Sequence, residues 1–580
     1  MSKQRKAVKK AEKESKQIKD DVLRSISGIQ EQFLEKHSQR LMELVAQRQE
    51  QVKLIIGLIN YSLADELLEQ TEVKICKVNH ITDFFRNIKA YESPLTESSA
   101  QLTNDDRHFL PPESFVRDGT FVLQEKFYTD TLELESSLKF HRAGARSTIY
   151  FDTTEVRAAI VTCGGLCPGL NVVIRSIVHC LTHDYKVDKI WGVKWGYRGF
   201  YEDFPKNWVE LDVEKVNGIQ NLGGTILGSS RGGFKAQDIL DSLLKMKINQ
   251  LYIIGGDGTH RGILALQKEL RAQNVQISIV GIPKTVDNDI PFIDRSFGFQ
   301  TACEEAVQFI NAANVEAEAA ENGVGIVKLM GRYCGYIAVA SSLASRDVNI
   351  CLIPEVHFQL EGPEGVYESI IERATQKGHC VVVIAEGAED GLIPEERTKI
   401  REKLGIQEDI RDESGNIKSM DLGAFIKNDV SKYASEKHNV KLTVKYLDPM
   451  YAIRSVKANC DDTVLCSLGY VSVHGVQAGY TDFSVGLVRD EPVMIPIDIL
   501  VEAGSKKMKR KDYEWQRLIS STGQSNFLSQ DNYLKTITQE KEEDLKRKEQ
   551  LIKIKYKALE KTHEVNPMRL ASFKESNHHD

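Results

Sequence analysis

Acidic side chains set among glycines are the first residues in this sequence suited to chemistry. Gly255-Gly256-Asp257-Gly258-Thr259 holds a carboxylate where the backbone can come close to a ligand, which suits a polyphosphate and its magnesium. Downstream, Pro283-Lys284-Thr285-Val286-Asp287-Asn288-Asp289 adds a lysine and two more carboxylates. If that segment runs extended, Thr285, Asp287 and Asp289 share one side by period-two alternation. Asp287 then takes the proton from an attacking hydroxyl while Asp289 helps to hold Mg²⁺ and donor phosphates. The plainer reading is an Asp/Asn turn bonded to its own backbone. That reading explains a turn, but not why it follows a buried strand with a second acidic loop upstream.

Other blocks supply groups that bind anions. Gly164-Gly165-Leu166-Cys167-Pro168-Gly169-Leu170-Asn171 follows a β-rich run and opens a helix, so its amides and the positive helix end suit phosphate. A ligand-free strand-to-helix turn fits those residues equally well. Arg231, in Gly228-Ser229-Ser230-Arg231-Gly232-Gly233, and Arg332, after Met330-Gly331, place guanidinium forks on glycine-flanked turns. Glu386 follows an apolar run directly and suits sugar hydroxyls, while Tyr451 and Arg454 offer a phenol and a cation for a second phosphate. Taken singly, each of these five has a surface or packing role as its alternative. Cys163 and Cys167 lack a second pair of ligands nearby and do not make a zinc pattern.

These residues need strands to hold them. Five short apolar runs each end in a glycine-containing or polar turn: Val156–Thr162, Leu251–Ile254, Ile277–Ile282, Val324–Leu329 and Val381–Ile384. Most lead into helix-compatible sequence such as Val172–Leu181, Arg261–Leu270 and Cys303–Ala320. Strand, loop and helix in repetition is the pattern of α/β parallel sheets covered on both faces, with ligands at the carboxyl ends of the strands.

The flanks read differently. No proline occurs before Pro94, and the Lys-, Glu- and Leu-rich residues 1–93 predict an N-terminal helical arm. Residues 94–146 form a linker and lead-in, a compact body begins near Ser147, and residues 511–580 make a charged helical tail. With 580 residues the chain has room for two or more cores. A 41% hydrophobic and 27% charged composition is that of a globular protein, and the formal net charge of −7 argues against nucleic acid as a partner. No run approaches the ~18 apolar residues of a membrane span, no secretory signal pattern is present, and ten scattered cysteines suit a reducing compartment. A cytoplasmic protein is expected.

In this order, Gly-Gly-Leu-Cys-Pro-Gly-Leu-Asn, Pro-Lys-Thr-Val-Asp-Asn-Asp, Leu-Met-Gly-Arg and Tyr446–Arg454 resemble the phosphofructokinase family, in its long-chain ATP-dependent plant and protist branch. The resemblance spans roughly residues 147–500. It implies two Rossmann-like lobes with a cleft between them, approximately 147–298 plus 448–510 and 299–447, flanked by the helical extensions. It also implies transfer of the γ-phosphoryl group of MgATP to the 1-hydroxyl of fructose 6-phosphate in glycolysis. By resemblance Asp287 is the general base, with Thr285 and Arg332 catalytic beside it. Gly165, Arg231, Gly256, Asp257, Gly258 and Thr259 face the nucleotide, and Asp257 and Asp289 the magnesium. Lys284, Thr285, Asp287, Met330, Gly331, Arg332, Glu386, Tyr451 and Arg454 face the sugar phosphate. Family members commonly form tetramers, so a homo-oligomer is implied, with the arm free to dock on a subunit or another partner.

The pyrophosphate-using relatives resemble this sequence but carry Asp at the place of Gly258, where it would repel an α-phosphate, so ATP is the favoured donor. Lipid, diacylglycerol and NAD kinases share the Gly-Gly-Asp-Gly-Thr loop but have no place for the Pro283–Asp289 and Met330–Arg332 blocks together. A structural or tethering role for the arms, on a retained kinase body, is the non-enzymatic alternative.

Overall fold

The computed structural model describes residues 75–96, 114–124, 138–406 and 420–560. All lie in one compact unit, residues 74–124 and 138–563, while residues 1–73, 125–137 and 564–580 fall outside both that unit and the described residues. Most of the expected N-terminal arm is therefore outside the described residues.

All five apolar runs are strands. The first sheet has nine: β1 Phe121–Leu123, β2 Lys139–Arg142, β3 Arg157–Thr162, β4 Lys189–Val193, β5 Trp208–Leu211, β6 Gln250–Gly255, β7 Ser278–Pro283, β12 Phe483–Val488 and β13 Glu491–Pro496. The second has four: β8 Gly323–Leu329, β9 Ile350–Leu352, β10 His379–Ala385 and β11 Thr443–Leu447. Spatial order in the first is β1-β2-β13-β12-β7-β6-β3-β4-β5, and the run from β12 to β4 is parallel. The second, β9-β10-β8-β11, is parallel throughout. β6, β7 and β8 are buried at every residue, as central strands covered on both faces must be.

The covering helices are α1 Leu170–His179, α2 Ala236–Lys245, α3 Asp257–Ala272, α4 Phe299–Glu318, α5 Tyr336–Ser345, α6 Val366–Lys377, α7 Leu422–His438, α8 Met450–Ile453, α9 Leu468–Gln477, α10 Ile497–Ala503, α11 Tyr513–Thr522 and α12 Gln530–Glu560. Alternation within the strands decides which helix meets which residue. Ala158, Ile160, Tyr252 and Ile254 join α1 and α9 in one apolar cluster, while Ala159, Val161, Leu251 and Ile253 join α2 and α3 in another. In the second sheet Val324 and Ile326 pack with α6 and α7, and Val327 and Leu329 with α4, α5 and α11.

Chain order reverses between β3 and β6, since β3 leads outward to β4 and the chain then returns to the other flank of β3. That reversal opens a crevice at the strand tips, where open α/β sheets bind ligands. Register brings further loops alongside. Pro283 pairs with Gly255, so the Lys284–Asp289 segment starts beside Gly256, and Leu329 pairs with Ala385, which sets Met330 beside Glu386.

The flanks differ from the sequence reading. Residues 75–93, expected to finish the helical arm, form two short paired strands around a single 3-10 turn at Ile81–Asp83: Asn79–His80 pairs with Tyr480–Thr481, and Tyr91–Glu92 with Thr148–Ile149. Val78 and Ile81 enter the first core, and that burial outweighs helix propensity. The body also begins before Ser147, because β2, read as linker, adds antiparallel to β13, and β1 adds antiparallel to β2. At the other end α12 runs 31 residues, and Ile554 is buried in the cluster that contains Ile499 and Leu500 of α10.

Candidate active site

The loop after β3 is tied down from two sides. Gly164, at φ 89°, donates its N–H to the Ser230 carbonyl at 2.9 Å, and Ser229 Oγ donates to the Gly164 carbonyl at 2.7 Å. Lys284 Nζ donates to the Gly165 carbonyl at 2.8 Å. A Cβ built on Gly165 would lie 3.5 Å from Arg454 Nη1 and 3.6 Å from Arg231 Nη2. Two guanidinium groups from distant parts of the chain thus meet at the same glycine. Burial lowers the Lys284 pKa, and the neighbouring Arg231 charge lowers it further.

Cys167 serves packing here. Its thiol donates to the Phe297 carbonyl at 3.2 Å, and burial pushes the Cys163 thiol up to about 12 and that of Cys167 higher still.

Three carboxylates gather on the other side of the crevice. Asp257 sits in the first turn of α3, with Gly256 as the extended residue before it, so the helix N–H groups open toward the crevice. Around Gly258 there is open space: nothing lies within 4 Å of a Cβ built there. Thr259, expected to face the nucleotide, has its side chain turned inward. It is 7% exposed, and a Cβ on Gly255 would collide with its side chain, so it packs beneath the loop.

The Thr285–Asp289 segment is a compact turn, which corrects the extended reading. Asn288 adopts φ 54°, and its side-chain oxygen accepts from Ser296 N–H at 3.0 Å. Thr285 Oγ1 accepts from Asp287 N–H at 3.1 Å and donates to Asp289 Oδ1 at 3.2 Å. The carboxylates therefore converge through turn chemistry instead of strand alternation. Burial raises the Asp287 pKa, with Asp289 and Glu386 adding repulsion, while the Arg332 backbone N–H and Lys284 oppose the rise. Asp289 is raised by burial and then by Asp257, against hydrogen bonds from Thr285 and Ser505. Such crowded, desolvated negative charge is the donor set of a hard divalent cation, so Asp257 and Asp289 fit a magnesium site.

The second sheet contributes the facing wall. Arg332 Nη2 pairs with Glu386 Oε1 at 3.3 Å, and Gly387 N–H donates to the Gly331 carbonyl at 3.0 Å. Gly331 holds φ 125°, open only to glycine. Met330 is buried among apolar residues of the second sheet, which leaves its backbone for any ligand. Tyr451 on α8 is 72% exposed, and the Arg454 guanidinium lies 4.6 Å from its ring centre. Arg454 thereby links Tyr451 to the Gly165 loop.

Sequence reasoning missed several neighbours. Ser505 Oγ donates to Asp257 Oδ2 at 3.2 Å, Lys506 N–H donates to the Asp289 carbonyl at 2.6 Å, and Cys334 Sγ donates to the Asp287 carbonyl at 3.2 Å. Nothing in their local sequence singles them out. One metal-like cluster occurs elsewhere among the described residues, Cys180, Asp184 and His474, with ligand atoms within 4.8 Å of one another. Tyr185 OH lies 2.8 Å from His474 Nδ1, and burial raises the Cys180 thiol and lowers the imidazole to about 4, so the thiol and the imidazole are held neutral.

Comparison with known proteins identifies the family of this chain. A family model described as phosphofructokinase matches residues 157–476. An Arabidopsis thaliana protein named ATP-dependent 6-phosphofructokinase 1 is 44% identical over 480 residues, 82% of this chain and 94% of its own. An ATP-dependent 6-phosphofructokinase of Borreliella burgdorferi is 42% identical over 426 residues, 72% of this chain and 91% of its own. The crystal structure of a pyrophosphate-dependent phosphofructokinase from Marinobacter aquaeolei is similar in fold, with a TM-score of 0.50 and 18% identity over 63% of this chain and 91% of that one. Among the described residues no helix is long and apolar enough to cross a membrane.

Proposed function

Because this chain belongs to the phosphofructokinase family, we propose that its crevice transfers the γ-phosphoryl group of ATP to the 1-hydroxyl of fructose 6-phosphate, giving ADP and fructose 1,6-bisphosphate. The observation that carries this reading is the placing of Asp287. Its carboxylate is desolvated beside Asp289, Glu386 and Lys284 and faces the Arg332 N–H. A carboxyl with a raised pKa is a stronger base once ionised, so Asp287 accepts the proton of the attacking hydroxyl. The new bond forms from that hydroxyl oxygen to the γ-phosphorus, the bond to the β-phosphate oxygen breaks, and ADP leaves.

The remaining residues hold the partners in line. Backbone N–H groups of Gly165, Gly256 and Gly258 face the donor phosphates, Arg231 neutralises charge on the moving phosphoryl group, and Arg454 beside it serves the sugar phosphate. Arg332 and Glu386, locked to each other, orient the sugar together with Gly331 and the Met330 backbone. Lys284 and Thr285 fix the two loops, and Tyr451 extends the sugar-phosphate side beyond Arg454. Asp257 and Asp289 would hold Mg²⁺, which when bound neutralises the donor phosphates.

Curated relatives named as ATP-dependent match most of the chain, and the open space at Gly258 accommodates a nucleotide beyond its terminal phosphates. The pyrophosphate-dependent neighbour shares the fold at 18% identity and carries no weight on the donor. We place the enzyme in glycolysis, in the cytoplasm and as a homotetramer, with the N-terminal arm as a docking element. A matrix of MgATP and pyrophosphate against sugar phosphates, on the purified full-length protein with its molar mass in solution, tests this. Turnover of pyrophosphate in preference to ATP would overturn the donor, and a monomeric mass the assembly.

A further inference from the structure

Residues 504–508 make contacts that the reaction described above does not use. They leave the end of α10 and run toward α11, which packs with the second sheet. On the way Ser505 Oγ donates to Asp257 Oδ2 at 3.2 Å, across 248 residues of chain. The next N–H, that of Lys506, donates to the Asp289 carbonyl at 2.6 Å. Two residues on, Met508 N–H donates to Glu355 Oε1 at 3.0 Å, an oxygen that also accepts from Gly335 N–H at 3.1 Å just before α5. From behind, α12 braces the same stretch: Arg547 Nη2 donates to the Ser505 carbonyl at 3.0 Å and Gln550 Nε2 to the Glu502 carbonyl at 3.0 Å.

An aspartate in the first turn of a helix has a side chain free to turn about its own torsions unless an outside donor fixes it. Asp257 also faces repulsion from Asp289, which favours turning away. A hydroxyl donating to one oxygen of Asp257 holds that carboxylate against this tendency and leaves its other lone pairs for a cation, while the neighbouring Lys506 N–H fixes the Asp289 backbone. Partners that orient metal ligands in this way are worth about 10- to 100-fold in metal affinity.

We propose that Ser505 is a positioning residue for the divalent cation, and that residues 504–508, braced by Arg547, form a strap that sets the Asp257 and Asp289 carboxylates at one spacing. The proposal rests on the reading of Asp257 and Asp289 as the metal site and adds to it a group from the C-terminal part of the chain. It makes α12 a support of the catalytic centre, acting through Arg547 and the Ser505 peptide.

Mn²⁺ binding to the full-length protein in the presence of ADP, read from the electron paramagnetic resonance signal of free Mn²⁺, tests it. Ser505→Ala is expected to weaken Mn²⁺ about tenfold, Ser505→Thr to stay within about twofold of the parent, and Arg547→Ala to fall between them. Fructose 6-phosphate affinity, measured by calorimetry, is expected to stay unchanged in all three. Unchanged Mn²⁺ affinity in Ser505→Ala, while Asp257→Asn loses it, overturns the strap and leaves the metal site standing. Unchanged affinity in Asp257→Asn overturns the metal site itself, and the strap with it. An equal loss in Ser505→Thr, or a parallel loss of fructose 6-phosphate binding, marks a general disturbance and also overturns the positioning role.

Discussion

Lys284 Nζ donates to the Gly165 carbonyl at 2.8 Å and so ties the end of β7 to the loop after β3, across the width of the intervening β6. The lysine is 7% exposed, and its charge is satisfied in part by that single carbonyl. The cation keeps two catalytic loops at fixed spacing even though burial disfavours it.

Replacing it tests that role. Lys284→Met keeps the stem but leaves the Gly165 carbonyl without its donor, so the melting temperature is expected to fall modestly while kcat falls at least tenfold. Steady-state kinetics beside a melting curve separates the two. A drop in stability with kcat preserved would make the lysine a structural prop only.

Asp287 carries a pH signature in the metal- and nucleotide-free protein. Its folded pKa is raised from the ordinary value of 3.8, so the folded state holds this proton more tightly than the unfolded chain does. The stability contributed is fully present below about pH 4 and is lost as pH rises through the raised value. Asp287→Asn is therefore expected to be more stable than the parent at pH 9 and nearly equal to it near pH 4, by thermal unfolding. Its kcat is expected to fall by about 10²- to 10⁴-fold through loss of the base.

Glu386 acts on Asp287 as well as on the sugar. Its negative charge is one cause of the raised Asp287 pKa, so Glu386→Gln should let the base ionise at lower pH. The acid limb of the kcat/KM profile is expected to move to lower pH, while KM for fructose 6-phosphate rises through loss of the 3.3 Å pair with Arg332. A limb that stays in place would remove Glu386 from the electrostatics of the base.

Gly258→Asp places a carboxylate in open space in the first turn of α3. An acidic residue at a helix N-terminus is compatible with folding, and replacing a helical glycine adds stability. KM for ATP is expected to rise about tenfold or more, with fructose 6-phosphate affinity and the melting temperature held. Equal loss of both substrates would show that the residue disturbs the crevice as a whole.

The sequence alone determined the parts that depend on neighbouring residues. The five buried strands, the glycine loops at their tips, the two acidic blocks and the helices after them are legible because apolar runs, glycine and aspartate act on the chain within a few residues. Local pattern misled where burial overrode it: residues 75–93 became two short paired strands and a 3-10 turn because Val78 and Ile81 had a core to enter, and β1 and β2 looked like linker because each is short and joins an existing edge. The Asp287 turn was found by its residue types, but its shape came from Asn288 and Ser296. Only the tertiary structure decided that Arg231 and Arg454 meet over Gly165, that Thr259 lies beneath Gly255, and that Ser505 reaches Asp257. Those contacts join residues far apart in the chain, and packing two sheets and a returning C-terminal segment into one body sets their distances, which no local spacing encodes.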